Sequence, residues 1–230
     1  MTSSENLSSF VVAIDGPAGA GKSTVSRMLA EALGYTLLDT GAIYRAVAFK
    51  ARERGVDWQD GEAVASVAAT LEIGFRLDSE GGNRLLCDGQ DLSAAIRTPE
   101  VSQGASIVSA HPPVRAALLE LQRSMGRRGR VVAEGRDVGT VVFPDAGAKF
   151  FLTASVSERS LRRSLELKSR GIIEDLAVTQ ADIESRDARD SSRAVAPLRQ
   201  ADDAVAVDSD GMTPQAVVAL MAATVRQRGG

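Results

Sequence analysis

Nine consecutive residues near the start of the chain, Gly16, Pro17, Ala18, Gly19, Ala20, Gly21, Lys22, Ser23 and Thr24, carry the first sign of chemistry. Glycine lacks a Cβ, so the three glycines of this run let backbone N–H groups converge on an anion. Lys22 then brings a positive charge to the outer phosphates of a nucleoside triphosphate, and the Ser23 hydroxyl can ligate Mg²⁺. The spacing is that of a phosphate-binding P-loop.

Such a loop works only between a strand and a helix. Phe10 to Ile14 is a short apolar run rich in β-branched residues, the pattern of a strand buried on both faces. After the loop, Val25, Met28, Leu29, Ala32 and Leu33 recur at helical spacing. Buried strands of the same kind are predicted at Thr36 to Leu38, Arg130 to Ala133, Lys149 to Leu152 and Ala204 to Val207. Alternation of these strands with helices predicts a parallel α/β sheet, with ligands at the carboxyl ends of its strands.

One segment breaks the rhythm. Leu71 to Leu77 and Arg84 to Cys87 read as short strands, with turns at Ser79 to Asn83 and at Asp88-Gly89-Gln90, which predicts an antiparallel insert. Two charge-rich helices are predicted from Val156 to about Lys168 and from Thr179 to about Ala194.

Arginines mark where a second substrate would sit. Asp39-Thr40-Gly41-Ala42-Ile43-Tyr44-Arg45 follows the second strand, with Thr40 placed to cap a helix, and Glu134-Gly135-Arg136-Asp137 leaves the strand that ends at Ala133. Both fall at strand carboxyl ends. In a third cluster Arg186, Asp190 and Arg193 stand at i, i+4 and i+7, which puts them on one helix face, either as a surface ion-pair ladder or as a binding stripe. Arg159, Arg162 and Arg163 are either solvated or a clamp on a transferring phosphoryl group. No guanine-reading Asn-Lys-x-Asp occurs, and His111, before Pro112-Pro113, reads as structural. An alcohol acceptor needs help losing its proton, whereas a phosphate monoester is already anionic at neutral pH. Many arginines and no evident base therefore favour phosphate as acceptor.

Composition bounds the rest. Of 230 residues 44% are hydrophobic and 25% charged, which fills a core and excludes intrinsic disorder. With 27 basic against 30 acidic residues and a net charge of −3, the surface as a whole is no footprint for nucleic acid. The basic residues are 23 arginines and 4 lysines, and guanidinium grips phosphate bidentately. Met1 to Ser9 holds no Lys or Arg, and the longest stretch free of charge, Gly211 to Val225, is too short to span a bilayer. A lone Cys87 and a lone His111 provide neither a disulfide nor a zinc set, so a reducing, cytoplasmic setting is expected.

The blocks GPAGAGKST, LLDTGAIYRAVA, IRTPEVS, EGRDVGTVVFPDA and RDARDSSRAVAPL, with Asp208 after the last strand, resemble the bacterial cytidylate kinase family from about Val11 to Met221. The resemblance implies a P-loop nucleoside-monophosphate-kinase fold: α/β, a central five-stranded parallel sheet flanked by helices, a small antiparallel β insert in the NMP-binding region and a short helical lid. It implies one kinase domain over 1–230, with core 10–58, 105–155 and 196–230, insert 59–104 and lid 156–195. The implied reaction converts ATP and CMP or dCMP into ADP and CDP or dCDP with Mg²⁺.

Position by position, Gly16 to Thr24 match the ATP loop and Ser23 the metal ligand. Thr40, Arg45, Arg136 and Arg193 match the surroundings of the acceptor phosphate, Arg186 and Asp190 the grip on the sugar, and Ser106, Arg115 and Asp137 the reading of the cytosine edge, with Tyr44 among the substrate-binding residues. Lys22, Arg136, Arg162 and Arg193 are the residues implied to act on the transferring group. Small-molecule substrates, no nucleic acid, no membrane and a monomer are implied as well. The rival readings are a P-loop kinase of UMP, shikimate or another small metabolite, and a non-enzymatic nucleotide switch using the basic stretch Arg123 to Arg130.

Overall fold

The three central strands of the larger sheet are short, largely apolar runs buried at nearly every position, and this fixes where the polar loops emerge. A computed structural model describes residues 9–77, 82–127 and 129–230. In chain order the strands are β1 (Val11–Asp15), β2 (Thr36–Asp39), β3 (Ile73–Leu77), β4 (Asn83–Cys87), β5 (Gln90–Asp91), β6 (Val131–Gly135), β7 (Ala148–Thr153) and β8 (Val205–Asp208). The helices are α1 (Lys22–Leu33), α2 (Thr40–Glu53), α3 (Gly61–Thr70), α4 (Pro99–Val108), α5 (Pro112–Gly126), α6 (Val156–Ser169), α7 (Leu176–Ser192) and α8 (Pro214–Gln227).

The chain divides into two units. The first comprises the segments up to Leu38, 124–192 and 196–230; the second comprises 39–123 and 193–195. In the first unit the parallel sheet runs in the order β2-β6-β1-β7-β8. Central β1 pairs with β6 (Ala13 opposite Ala133) on one side and with β7 (Ile14 opposite Phe150) on the other. The chain moves from β1 to one edge and later returns to fill the other, so the topological switch lies at β1, where ligands bind in such sheets. Val12, Ile14, Phe150 and Leu152 of the sheet pack with Val25 and Leu29 of α1 and with Val217, Met221 and Val225 of α8. Those three α8 residues fall at i, i+4 and i+8, one stripe of a helix that Thr213 caps and Pro214 opens.

In the second unit α2 packs against α4, and β3, β4 and β5 form a three-stranded antiparallel sheet. Cys87 pairs with Gln90 across a two-residue turn whose Asp88 and Gly89 both have positive φ, 50° and 77°, the conformation that matches strand twist.

Several expectations change in detail. Asp39, not Thr40, caps α2: its carboxylate accepts the Ala42 N–H at 2.8 Å, and Thr40 is the first helical residue. A carboxylate favours this cap because it also meets the positive end of the helix dipole. α7 covers Leu176–Ser192 rather than 179–194, so Arg193 lies beyond the helix, off the face shared by Arg186 and Asp190. The first insert strand begins at Ile73 rather than Leu71. Of the turn expected at Ser79 to Asn83, residues 79–81 lie outside the described residues, as do Met1 to Ser8 and one residue of the basic stretch 123–130.

Candidate active site

β1 ends in the sheet at Asp15 and the glycine loop begins at once. Gly16 has φ 155°, and a Cβ there would sit 1.9 Å from the Leu152 carbonyl oxygen, so β7 passes too close for any side chain. Gly21 adopts the left-handed conformation, φ 86°, and opens α1 at Lys22. The loop thus delivers a helix N-terminus and its unpaired N–H groups to the carboxyl end of the sheet, a built anion site.

Lys22 is buried, and its ammonium donates to the carbonyls of Gly16 and Pro17 at 2.7 and 2.6 Å. Burial pushes its pKa well below the ordinary value, Arg136 adds repulsion, and Glu134, Asp190 and Asp15 pull the other way. The Ser23 hydroxyl donates to the carboxylate of Glu134 at 3.1 Å, Glu134 being buried at the end of β6.

Directly after β6, Arg136 Nε donates to Asp190 of α7 at 2.8 Å. Burial opposes the guanidinium charge, but Asp190 overrides it and holds the Arg136 pKa above its usual level. Asp137 is buried beside it, followed by a single π-type turn, Val138–Val142. The N–H groups of Val138 and Gly139 donate to Asp15 at 2.8 and 2.7 Å. Burial is the main reason the Asp15 carboxyl is raised to about 6.

The arginines of α6 differ from one another. Arg159 is buried among protein groups, Arg162 binds Glu158, Ser209 and, at 3.4 Å, the Ala20 carbonyl, and Arg163 pairs with Glu166. The first unit therefore gathers the glycine loop, Glu134, Arg136, Arg162 and Asp190. Arg186 is half-buried one turn before Asp190 on α7.

The second unit carries Thr40, Tyr44 and Arg45 on α2, Ser106 on α4, Arg115 on α5, and Arg193. Arg45 Nη2 donates to the capping carboxylate of Asp39 at 2.8 Å. The Arg115 guanidinium lies over the Tyr44 ring, 5.5 Å from its centroid, and both side chains are buried. His111 hydrogen-bonds the Trp58 carbonyl through Nε2 at 2.9 Å, the structural role expected of it.

Three residues escaped the sequence reading: Asp15, Asp39 as the cap, and Asp187. An acid closing an apolar strand, as in VVAID, signals a carboxylate held at a sheet end, and that cue would have found Asp15. Asp187 had no cue, because one carboxylate in an Arg/Asp run looks like any other.

The sequence matches the cytidylate kinase family over residues 12–227. A cytidylate kinase of Citrifermentans bemidjiense is 50% identical over 218 residues, covering 95% of this chain and 93% of that one. A bifunctional pantoate ligase/cytidylate kinase of Prochlorococcus marinus is 52% identical over 209 residues, covering 90% of this chain and 41% of its own length. Among solved structures, an uncharacterized protein from Eubacterium ventriosum superposes with a TM-score of 0.51 at 10% identity, covering 94% of this chain and 98% of that one, a likeness of fold alone. A family match spanning nearly the whole chain, with half its residues identical to a full-length relative, joins the phosphate loop and the arginines around it: the chain belongs to the cytidylate kinase family.

Proposed function

We propose that the protein transfers the γ-phosphoryl group of ATP to the phosphate of CMP and dCMP, giving ADP and CDP or dCDP. The observation that carries this reading is Lys22 at the mouth of the glycine loop, in the electrostatic field of Arg136, Glu134 and Asp190. Guanidinium and ammonium groups around transferring phosphate supply the stabilisation that in-line transfer needs. The glycine loop from Gly16 to Thr24 holds the ATP phosphates. Thr40, Tyr44, Arg45, Arg136 and Arg193 hold the acceptor phosphate, and Arg186 and Asp190 the sugar. We assign residues 59–104 as the NMP-binding insert and 156–195 as the lid, and place the enzyme in the cytoplasm as a monomer acting on small molecules. No helix among the described residues is long and apolar enough to cross a membrane.

The donor set of Ser23 and Glu134, a hydroxyl and a carboxylate oxygen, suits Mg²⁺, which takes few protein oxygens together with substrate phosphates. Among the described residues no group of three or more His, Cys, Asp or Glu could hold a metal by itself. When bound, Mg²⁺ neutralises charge on the phosphates. The test of the reading is ADP release measured with CMP, dCMP, UMP, AMP, GMP and shikimate. CMP and dCMP are expected to give the highest kcat/KM; a higher value for shikimate overturns the acceptor assignment, and no release with any of them overturns the enzyme.

Base choice rests on Ser106, Arg115 and Asp137. Cytosine offers an N4 amino donor and an N3 acceptor, which a carboxylate and an arginine recognise and which uracil reverses, its O2 accepting as cytosine's does. Asp137→Ala forfeits a charge-assisted hydrogen bond, so kcat/KM for CMP should fall by about 10- to 150-fold and that for UMP by less. Equal losses for both nucleotides would assign Asp137 to its loop rather than to the base.

Arg162→Ala should lower kcat by about tenfold with little change in KM for CMP, the signature of an interaction made in the transition state. Unchanged kcat in both Arg162→Ala and Arg163→Ala would leave these side chains to the ion pairs they make with Glu158 and Glu166.

A further inference from the structure

Ala18, in the middle of the glycine loop, is gripped from two helices at once. Its N–H donates to Asp187 Oδ1 on α7 at 3.0 Å, and its carbonyl accepts from Arg159 Nη1 on α6 at 2.8 Å. The two side chains close the circle, Arg159 Nη1 pairing with Asp187 Oδ2, while Arg159 Nε donates to the Ala154 carbonyl at 2.9 Å. Arg159 is 5% exposed, so this cation is withdrawn from water and spent on the loop. At the neighbouring Gly19, φ 76°, a Cβ would stand 2.9 Å from the Arg159 carbonyl oxygen, so α6 lies directly on the loop there.

A loop with glycines at 16, 19 and 21 has many backbone conformations available, and each must be surrendered when phosphate binds. Fixing the peptide groups of Ala18 in advance removes part of that cost. Asp187 stands three residues before Asp190, so one face of α7 holds Ala18 at one point and Arg136 at the next. The register between the loop and Arg136 is thereby set by a single helix.

We propose that Arg159 and Asp187 are positioning residues for phosphoryl transfer, holding the glycine loop in its phosphate-binding form and in register with Arg136. This deepens the kinase reading but rests on it only in taking the loop as the ATP site.

The test is titration calorimetry of Mg²⁺ with the non-hydrolysable analogue adenylyl imidodiphosphate, without CMP, so a wild type that binds the analogue yet fails to phosphorylate CMP separates failure of the kinase reading from failure of this one. A parallel titration with CMP and a thermal melt accompany each variant. Asp187→Ala and Arg159→Ala should each weaken analogue binding by about tenfold or more, the loss of a charge-assisted contact, and CMP binding by less. The double variant should lie within about twofold of the worse single one, because both break the same anchor. Asp187→Asn, whose amide oxygen still accepts the Ala18 N–H, should recover part of the loss. Analogue binding within about twofold of wild type in folded Asp187→Ala, equal losses for analogue and CMP, or fully additive effects would each overturn the proposal. If Asp187→Ala does not fold, Arg159→Lys decides: it keeps a charge for Asp187 but cannot serve Ala154 and Ala18 together. Selective weakening of analogue binding in that variant supports the proposal, and undiminished binding overturns it.

Discussion

Lys22→Ala is expected to lower kcat by about 10³-fold, the scale found when a preorganised charge is removed from a transition state. The expectation comes from where the ammonium sits. It opens α1, is held by the Gly16 and Pro17 carbonyls, and stands in the field of Arg136, Glu134, Asp190 and Asp15. Burial depresses its pKa and the three carboxylates only partly offset this, so a bound phosphate would add further stabilisation to a charge already placed. The stability cost is expected to be small, since the variant loses two carbonyl contacts but no longer buries a cation; a melting shift of about 4 °C or less corresponds to about 1 kcal/mol in a chain of this size. Lys22→Met, which keeps most of the side-chain stem, should be equally inactive. Single-turnover phosphoryl transfer at saturating ATP and CMP is the measurement, and a near-wild-type rate in a folded variant would remove Lys22 from the chemistry.

Much of this site could be read in the sequence because its parts are local. The glycine loop announces itself through spacing, and strand and helix follow from apolar runs of the right length and period on either side. Arg136 and Asp137 fall just past a strand end, legible because β6 opens with the apolar run Val131 to Ala133. What could not be read is non-local. Nothing in the order of the strands along the chain says that β6 lies between β1 and β2, which is what brings Glu134 to Ser23. Nor does spacing say that Arg159 is fully buried against the glycine loop while Arg163 stays half-buried in an ion pair with Glu166, because both satisfy the pattern of a charged helix and only the loop lying under α6 decides between them. The helix end at Ser192 was missed because Ser191, Ser192 and Arg193 carry no glycine or proline to mark it.

Asp15 leads to the second large effect, a pH-dependent one. Its carboxylate accepts two backbone N–H groups, which favour the charged form, but burial outweighs them and nearby Asp137 adds repulsion, while Lys22 attracts. The aliphatic stem of Lys149 lies against Gly139, while its ammonium is bound to the Pro144 carbonyl and to Asp203. The net result is a rise from the ordinary 3.8 to about 6. The native state therefore holds this proton more tightly than the unfolded chain does. Below about pH 4 both states are protonated and the full stabilisation is present; as pH climbs through about 6 the native state gives the proton up and the contribution is lost. A shift of this size corresponds to about 3 kcal/mol. Asp15→Asn cannot titrate, and its own packing and hydrogen-bond changes do not vary over this range. The wild-type minus Asp15→Asn difference in unfolding free energy, from urea titrations at pH 4, 5, 6 and 7, should therefore fall by about 2.4 kcal/mol, most of it by pH 6, and then level off. A flat difference would mean that Asp15 titrates alike in both states, and a rising one that the Val138 and Gly139 N–H groups stabilise the carboxylate by more than its burial costs.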